Sequence, residues 1–170
     1  RAAGISNSGL VAGFVNPPGN ATPVAALWRN ESLDTLGTLG GPTSIVQWPG
    51  ISNNGIVVGI TELADLDPLH EEWSCTAFLP SVTGHICRGF VWRNGVMDTL
   101  PTLGGNQGFA TRVNSSGQVG GWAETPVHEG KAAVIGGFVS GALTGLAAHL
   151  ASGGLTFGAG MLGGGVAGPG

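Results

Sequence analysis

Charged side chains are scarce in this chain. Only 9% of its 170 residues are Asp, Glu, Lys or Arg, and the net charge is −4. Soluble domains average about a quarter charged residues. Proteins that bind nucleic acid present a basic patch, and this sequence has none. Nucleic acid is therefore not an expected partner.

The motifs of common catalytic sites are also missing. The sequence contains no nucleophile elbow, no phosphate-binding loop and no paired-histidine metal motif. Its only cysteines are Cys75 and Cys87, and with His85 they do not form a zinc-ligand spacing. We therefore predict a non-enzymatic protein with no catalytic residue, no metal and no cofactor.

Both cysteines lie in the segment that makes the second of the repeat units described below longer than the others. A crosslink over so short a loop contributes roughly 3 kcal/mol in the chain-entropy model. We predict a Cys75–Cys87 disulfide that closes this loop, and two unrelated thiols remain the alternative.

The most informative feature that is present is self-similarity. Residues 26–41 return as residues 90–105, and a second motif occurs at residues 4–13, 50–59 and 112–121. Repeats of this kind indicate an array in which each unit buries its apolar face on its neighbours.

Each unit consists of short apolar runs, rich in β-branched residues, separated by turn residues such as Asn94-Gly95. No helical period occurs before residue 130. Units of about four strands favour an all-β, propeller-like array over residues 1–129, with an N-terminal partial unit and two fuller ones. Propellers need about four to eight blades to close. The array is therefore incomplete, and we expect the chain to be a fragment of a longer one.

These residues resemble the HAF-repeat family of probable extracellular bacterial proteins. Leu27-Trp28 and Val91-Trp92 match the family's Leu-Trp pair, residues 36–41 match its central stretch, and residues 100–105 depart from it only at Pro101. The tripeptide that names the family is absent. The resemblance covers residues 1 to about 128 and implies a secreted, propeller-like repeat protein, with no established reaction and no catalytic residue.

After Lys131 the composition changes abruptly, and residues 132–170 contain no charged side chain. Glycines recur there at a spacing of four, a pattern that lets apolar helices approach closely in a bilayer. We treat residues 130–170 as a separate glycine-rich apolar tail. A helical, membrane-inserting tail and an apolar flexible or packing segment both remain open, as does an unnatural junction.

Several residues are candidates for defined roles. Trp28 and Trp92 occupy equivalent repeat positions and are expected to pack in the core. Asn7, Asn53 and Asn114 match the family's motif asparagine, and we expect their side chains to hold tight turns. The remaining tryptophans are candidates for ligand binding, by stacking on sugars: Trp48, Trp73 and Trp122. The acidic stretch from Glu62 to Glu72 is expected to be a solvated loop rather than a calcium site.

Taken together, the sequence favours a non-catalytic extracellular or cell-surface binding module, with carbohydrate or a cell-surface protein as its candidate partners. A membrane-associated protein, anchored or oligomerised through its glycine-zipper tail, is the first alternative. A polysaccharide-acting propeller enzyme is the second, although its acids would need to face a common channel.

Overall fold

The computed structural model describes residues 1–19, 22–70, 73–79 and 83–126, without the side chains of residues 73 and 74. Apart from one short helix, α1 (Trp73–Phe78), the regular structure of these residues is all β. This confirms that the described part of residues 1–129 is all β, as predicted. The tail, residues 130–170, lies outside the described residues.

The strands are β1 (Ala2–Ile5), β2 (Val11–Val15), β3 (Val24–Arg29), β4 (Ser32–Gly37), β5 (Gly40–Ile45), β6 (Val57–Leu66), β7 (His85–Arg93), β8 (Val96–Thr99), β9 (Gly108–Val113) and β10 (Val119–Ala123).

The strands form three antiparallel sheets in chain order. Sheet A has the order β1-β2-β3-β4, sheet B has the order β5-β6-β7-β8, and sheet C pairs β9 with β10. None of them closes on itself within the described residues. The N-terminal residues, which the sequence groups as a partial unit, thus form a four-stranded sheet.

Sheet B lies between the other two sheets and is buried on both faces. Val57 and Phe90 pack with Ala12 and Leu27 of sheet A. The next residues along the same strands, Val58 and Val91, pack with sheet C. Because successive strand residues point to opposite faces, this alternation gives each sheet a face toward each neighbour.

Tight hairpin turns connect the outer strands, as the sequence predicts. Asn94 (φ 52°) and Gly95 (φ 87°) both adopt left-handed backbone between β7 and β8. Two-residue hairpin turns require this conformation, which asparagine and glycine tolerate best.

The insertion between β6 and β7 carries α1, and a disulfide attaches it to sheet B. Cys75 of α1 and Cys87 of β7 are both fully buried, with their Cα atoms 5.7 Å apart. The predicted Cys75–Cys87 disulfide is therefore present. It holds Leu79 in a small core with Ile45 and Ile60.

Candidate functional site

The two repeated tryptophans occupy matching places in their sheets. Trp28 pairs with Val11 and Leu33 across sheet A, and Trp92 pairs with Val57 and Met97 across sheet B. Both are half-buried. Trp92 packs against the core between sheets A and B, whereas Trp28 lies on the outer face of sheet A, away from that core.

The three asparagines do not share one role. Asn114 Oδ1 accepts hydrogen bonds from the backbone N–H groups of Ser116 and Gln118, so this side chain holds its own turn. In the other two motifs serine occupies the same place, and Ser6 and Ser52 accept the equivalent bonds.

Asn53 instead bonds a neighbouring turn, because it stands one position later in its motif. Its Oδ1 accepts a hydrogen bond from the backbone N–H of Asn7 at 3.0 Å. The adjacent Asn54 donates from Nδ2 to the carbonyl of Ser115 at 2.9 Å. These bonds link the three turns into a row along one end of the sheets, where Asn7 is exposed.

Replacing Asn114 with alanine is expected to lower the free energy of unfolding by about 1 kcal/mol, because two backbone donors lose their acceptor. Asn114→Ser is the matched control, since serine fulfils this role at positions 6 and 52. Urea denaturation of both variants gives the comparison. Equal losses for serine and alanine would show that the side-chain acceptor does not hold this turn.

Two of the three tryptophans proposed to bind ligand lie close together. The Trp48 ring stacks on Phe109 with centroids 5.5 Å apart, and Phe109 stacks on Trp122 at 5.7 Å. Phe78 of α1 meets Trp48 and Phe109 edge-on. We call these four half-buried side chains the aromatic cluster. The side chain of Trp73 is not among those described. The phenylalanines carry no repeat signal, so only the fold identifies them as neighbours of the tryptophans.

A buried polar cluster lies next to the aromatic one. Gln107 is fully buried; its Oε1 accepts from the backbone N–H of Cys87 at 2.9 Å, and its Nε2 donates to Asp67 Oδ2 at 2.8 Å. Its backbone N–H donates to Glu124 Oε2 at 3.0 Å. Gln107 therefore connects sheet C to the insertion of sheet B.

The sequence predicts a solvated loop for the acidic stretch from Glu62 to Glu72, but the structure shows that part of this stretch is buried. Glu62 is fully buried and Asp67 is 2% exposed, whereas Asp65 is exposed. Asp67 is buried because the insertion folds back on sheet C, where Gln107 is its partner. Glu62 Oε1 accepts a hydrogen bond from Thr83. Among the described residues, there is no group of three or more histidine, cysteine, aspartate or glutamate side chains that could hold a metal ion.

Arg88 places a positive charge near the carboxylate of Glu124. Partial burial lowers the pKa of its guanidinium from the usual arginine value, and the nearby carboxylate of Glu124 acts in the opposite direction. Glu124 is thus placed between a backbone donor and a positive charge.

The pairing of β9 with β10 brings the two clusters together. Trp122 lies opposite Phe109, and Glu124 and Gln107 lie two positions further along their strands. Residues two apart on a strand share a face, so the rings lie beside the half-buried Glu124 and the fully buried Gln107. Ring faces beside a half-buried carboxylate suit ligands that combine apolar and hydroxyl-bearing surfaces.

Comparison with known proteins gives no assignment. No protein-family model matches the chain, and neither a curated protein nor a solved structure matches it.

Proposed function

We propose that this chain is a non-catalytic extracellular repeat protein of propeller-like architecture that binds carbohydrate through the aromatic cluster. The observation that carries the proposal is the stack of Trp48, Phe109 and Trp122, half-buried beside Gln107 and Glu124. Three successive antiparallel sheets, packed face to face, support the propeller-like architecture.

An extracellular location is supported by the Cys75–Cys87 disulfide, since such bonds persist mainly in oxidising compartments. The membrane alternative depends on residues 130–170, which lie outside the described part. Within that part no helix has the length and apolar character needed to cross a bilayer.

A binding role is favoured over a polysaccharide-acting enzyme because the two carboxylates near the aromatic cluster, Asp67 and Glu124, already accept hydrogen bonds from the protein's own groups. Asp67 accepts hydrogen bonds from Leu69 N–H and from Gln107, and Glu124 accepts one from the Gln107 N–H. A general acid or base must instead reach the substrate.

The test is a glycan array followed by titration calorimetry with the glycans that score. Trp48→Ala is expected to weaken binding at least about tenfold, equivalent to about 1.4 kcal/mol. Trp48→Phe keeps a ring and should retain most of the affinity. Trp92→Phe, a change at a tryptophan outside the cluster, controls for general effects on the fold.

Two results would contradict this proposal. One is a wild-type protein that binds no glycan, and the other is a folded Trp48→Ala variant that binds as tightly as wild type. Capture of a cell-surface protein through the same side chains would replace carbohydrate with a protein partner.

A further inference from the structure

The two tryptophans of the aromatic cluster are held in place by different means. Trp122 lies on β10 directly opposite Phe109 of β9, so the hydrogen-bonded ladder of sheet C fixes that stack. Trp48 lies in a bend between β5 and β6 and belongs to no strand of the described residues. The position of its ring therefore depends on the side chains that it touches.

Rings from sheet C and from α1 touch Trp48. Trp48 stacks on Phe109 with centroids 5.5 Å apart. Phe78 of α1 meets Trp48 edge-on at 4.7 Å and Phe109 edge-on at 4.3 Å. Edge-on and offset-stacked aromatic pairs attract each other beyond the effect of the area that they bury. Phe78 thus packs against both Trp48 and the ring on which Trp48 stacks.

The position of Phe78 depends in turn on how α1 is attached to sheet B. The helix has six residues, whereas an isolated helix needs about 12 to 15 residues to be even marginally stable in water. Two anchors attach it: the disulfide from Cys75 to Cys87, and Leu79, which packs in the same small core as that disulfide. Phe78 follows Cys75 by three positions, so both lie on one face of the helix. The disulfide thus fixes where the Phe78 ring lies.

We infer that Phe78 and the Cys75–Cys87 disulfide position Trp48 for ligand binding. The inference rests on the proposed function, in which Trp48 contacts carbohydrate. Phe78 acts through Trp48, because without the Phe78 ring Trp48 loses a packing partner and gains room to turn. A side chain that must be ordered on binding costs affinity, so loss of the Phe78 ring should weaken binding about three- to tenfold. The insertion of sheet B is on this inference the support of the binding site.

The first experiment needs no ligand. The full chain, with its five tryptophans replaced by fluorotryptophan, is followed by fluorine NMR, and Trp48→Phe assigns the Trp48 resonance. We expect Phe78→Ala, and separately Cys75→Ala/Cys87→Ala, to move that resonance and to leave the Trp92 resonance in place. Phe78→Tyr keeps a ring and should keep the wild-type position. Phe14→Leu is the matched control, because Phe14 packs against the same core as Phe78 but from sheet A; it should leave the Trp48 resonance unmoved.

The second experiment measures affinity by titration calorimetry, with the glycan that gives the strongest array signal for wild type as the probe. Phe78→Ala is made in wild type and in the Trp48→Ala background. If Phe78 acts through Trp48, its loss weakens binding in wild type and has little further effect once the Trp48 ring is gone. Phe78→Tyr should restore most of the affinity, and Phe14→Leu should keep it.

Three outcomes would overturn the inference. The first is a Trp48 resonance that neither Phe78→Ala nor the double cysteine substitution moves. The second is an equal loss of affinity on Phe78→Ala in both backgrounds, which would make Phe78 a ligand contact in its own right. The third is a Trp48 resonance that Phe14→Leu moves as far as Phe78→Ala, which would show a general effect on the fold. A wild type that binds no glycan overturns the proposed function instead, and the fluorine spectra still decide whether Phe78 and the disulfide position Trp48.

Discussion

Replacing Gly59 with alanine is expected to destabilise the protein by about 3 kcal/mol, at the upper end of the overpacking range. Gly59 lies on β6 where the neighbouring strand comes very close. A Cβ atom there would collide with the carbonyl oxygen of Ile45 and would lie 2.7 Å from Cε1 of Phe90. Both neighbours are buried and packed from behind, so neither can move away cheaply. Chemical denaturation followed by tryptophan fluorescence measures the loss.

The control separates steric overlap from backbone strain. Gly95 has φ of 87° and no heavy atom within 4 Å of an added Cβ, so Gly95→Ala tests strain alone. We expect it to cost about 1 to 2 kcal/mol, the left-handed penalty for an ordinary residue. A Gly59→Ala variant that loses no more stability than Gly95→Ala would contradict the steric explanation.

The same explanation applies to the equivalent glycine of each repeat. A Cβ on Gly13 would collide with the carbonyl of Arg1, and one on Gly121 with the carbonyl of Phe109. The ladder is irregular beside Gly13 and Gly121, with a register shift in sheets A and C. The sequence shows that this glycine recurs, but only the structure shows that a neighbouring carbonyl occupies the space of its side chain.

The repeats made the strands and turns predictable. Short β-branched runs and the Asn94-Gly95 turn are local signals, and local signals determine hairpins. The disulfide was predictable for a related reason, since both cysteines lie in one insertion. The prediction that Asn53 holds its own turn was wrong. Matching by residue type equated Asn53 with Asn114, although Asn53 stands one motif position later.

The candidate site was only partly predictable. Trp48 and Trp122 fall outside the repeated tryptophan position, which marked them as candidates. The contacts of Trp48 with Phe78 and Phe109 depend on how the insertion and sheet C pack together, and no periodicity encodes that. For the same reason an acidic stretch that reads as solvated contains Asp67, which is buried against a glutamine 40 positions away.

Gln107→Leu is the second substitution with a large expected effect, about 3 kcal/mol or more of stability. The leucine side chain fills a similar volume but offers no partner to Asp67 Oδ2 or to the backbone N–H of Cys87. Leaving a buried carboxylate without one of its donors costs more than the net value of the bond, because that group stays desolvated. Thermal and denaturant unfolding both measure the loss.

A second substitution tests whether the carboxylate is the cause. Asp67→Asn removes the charge and keeps the shape, so Gln107→Leu should cost clearly less in that background than in wild type. Asn106→Ala is the control for the neighbourhood, since Asn106 only reaches Asp67 Oδ1 at 3.5 Å and should matter little. Equal costs of Gln107→Leu in both backgrounds would mean that the bond to Cys87 or the packing of Gln107 dominates. A reduced cost would establish that the Asp67–Gln107 pair itself stabilises the contact between the insertion of sheet B and sheet C.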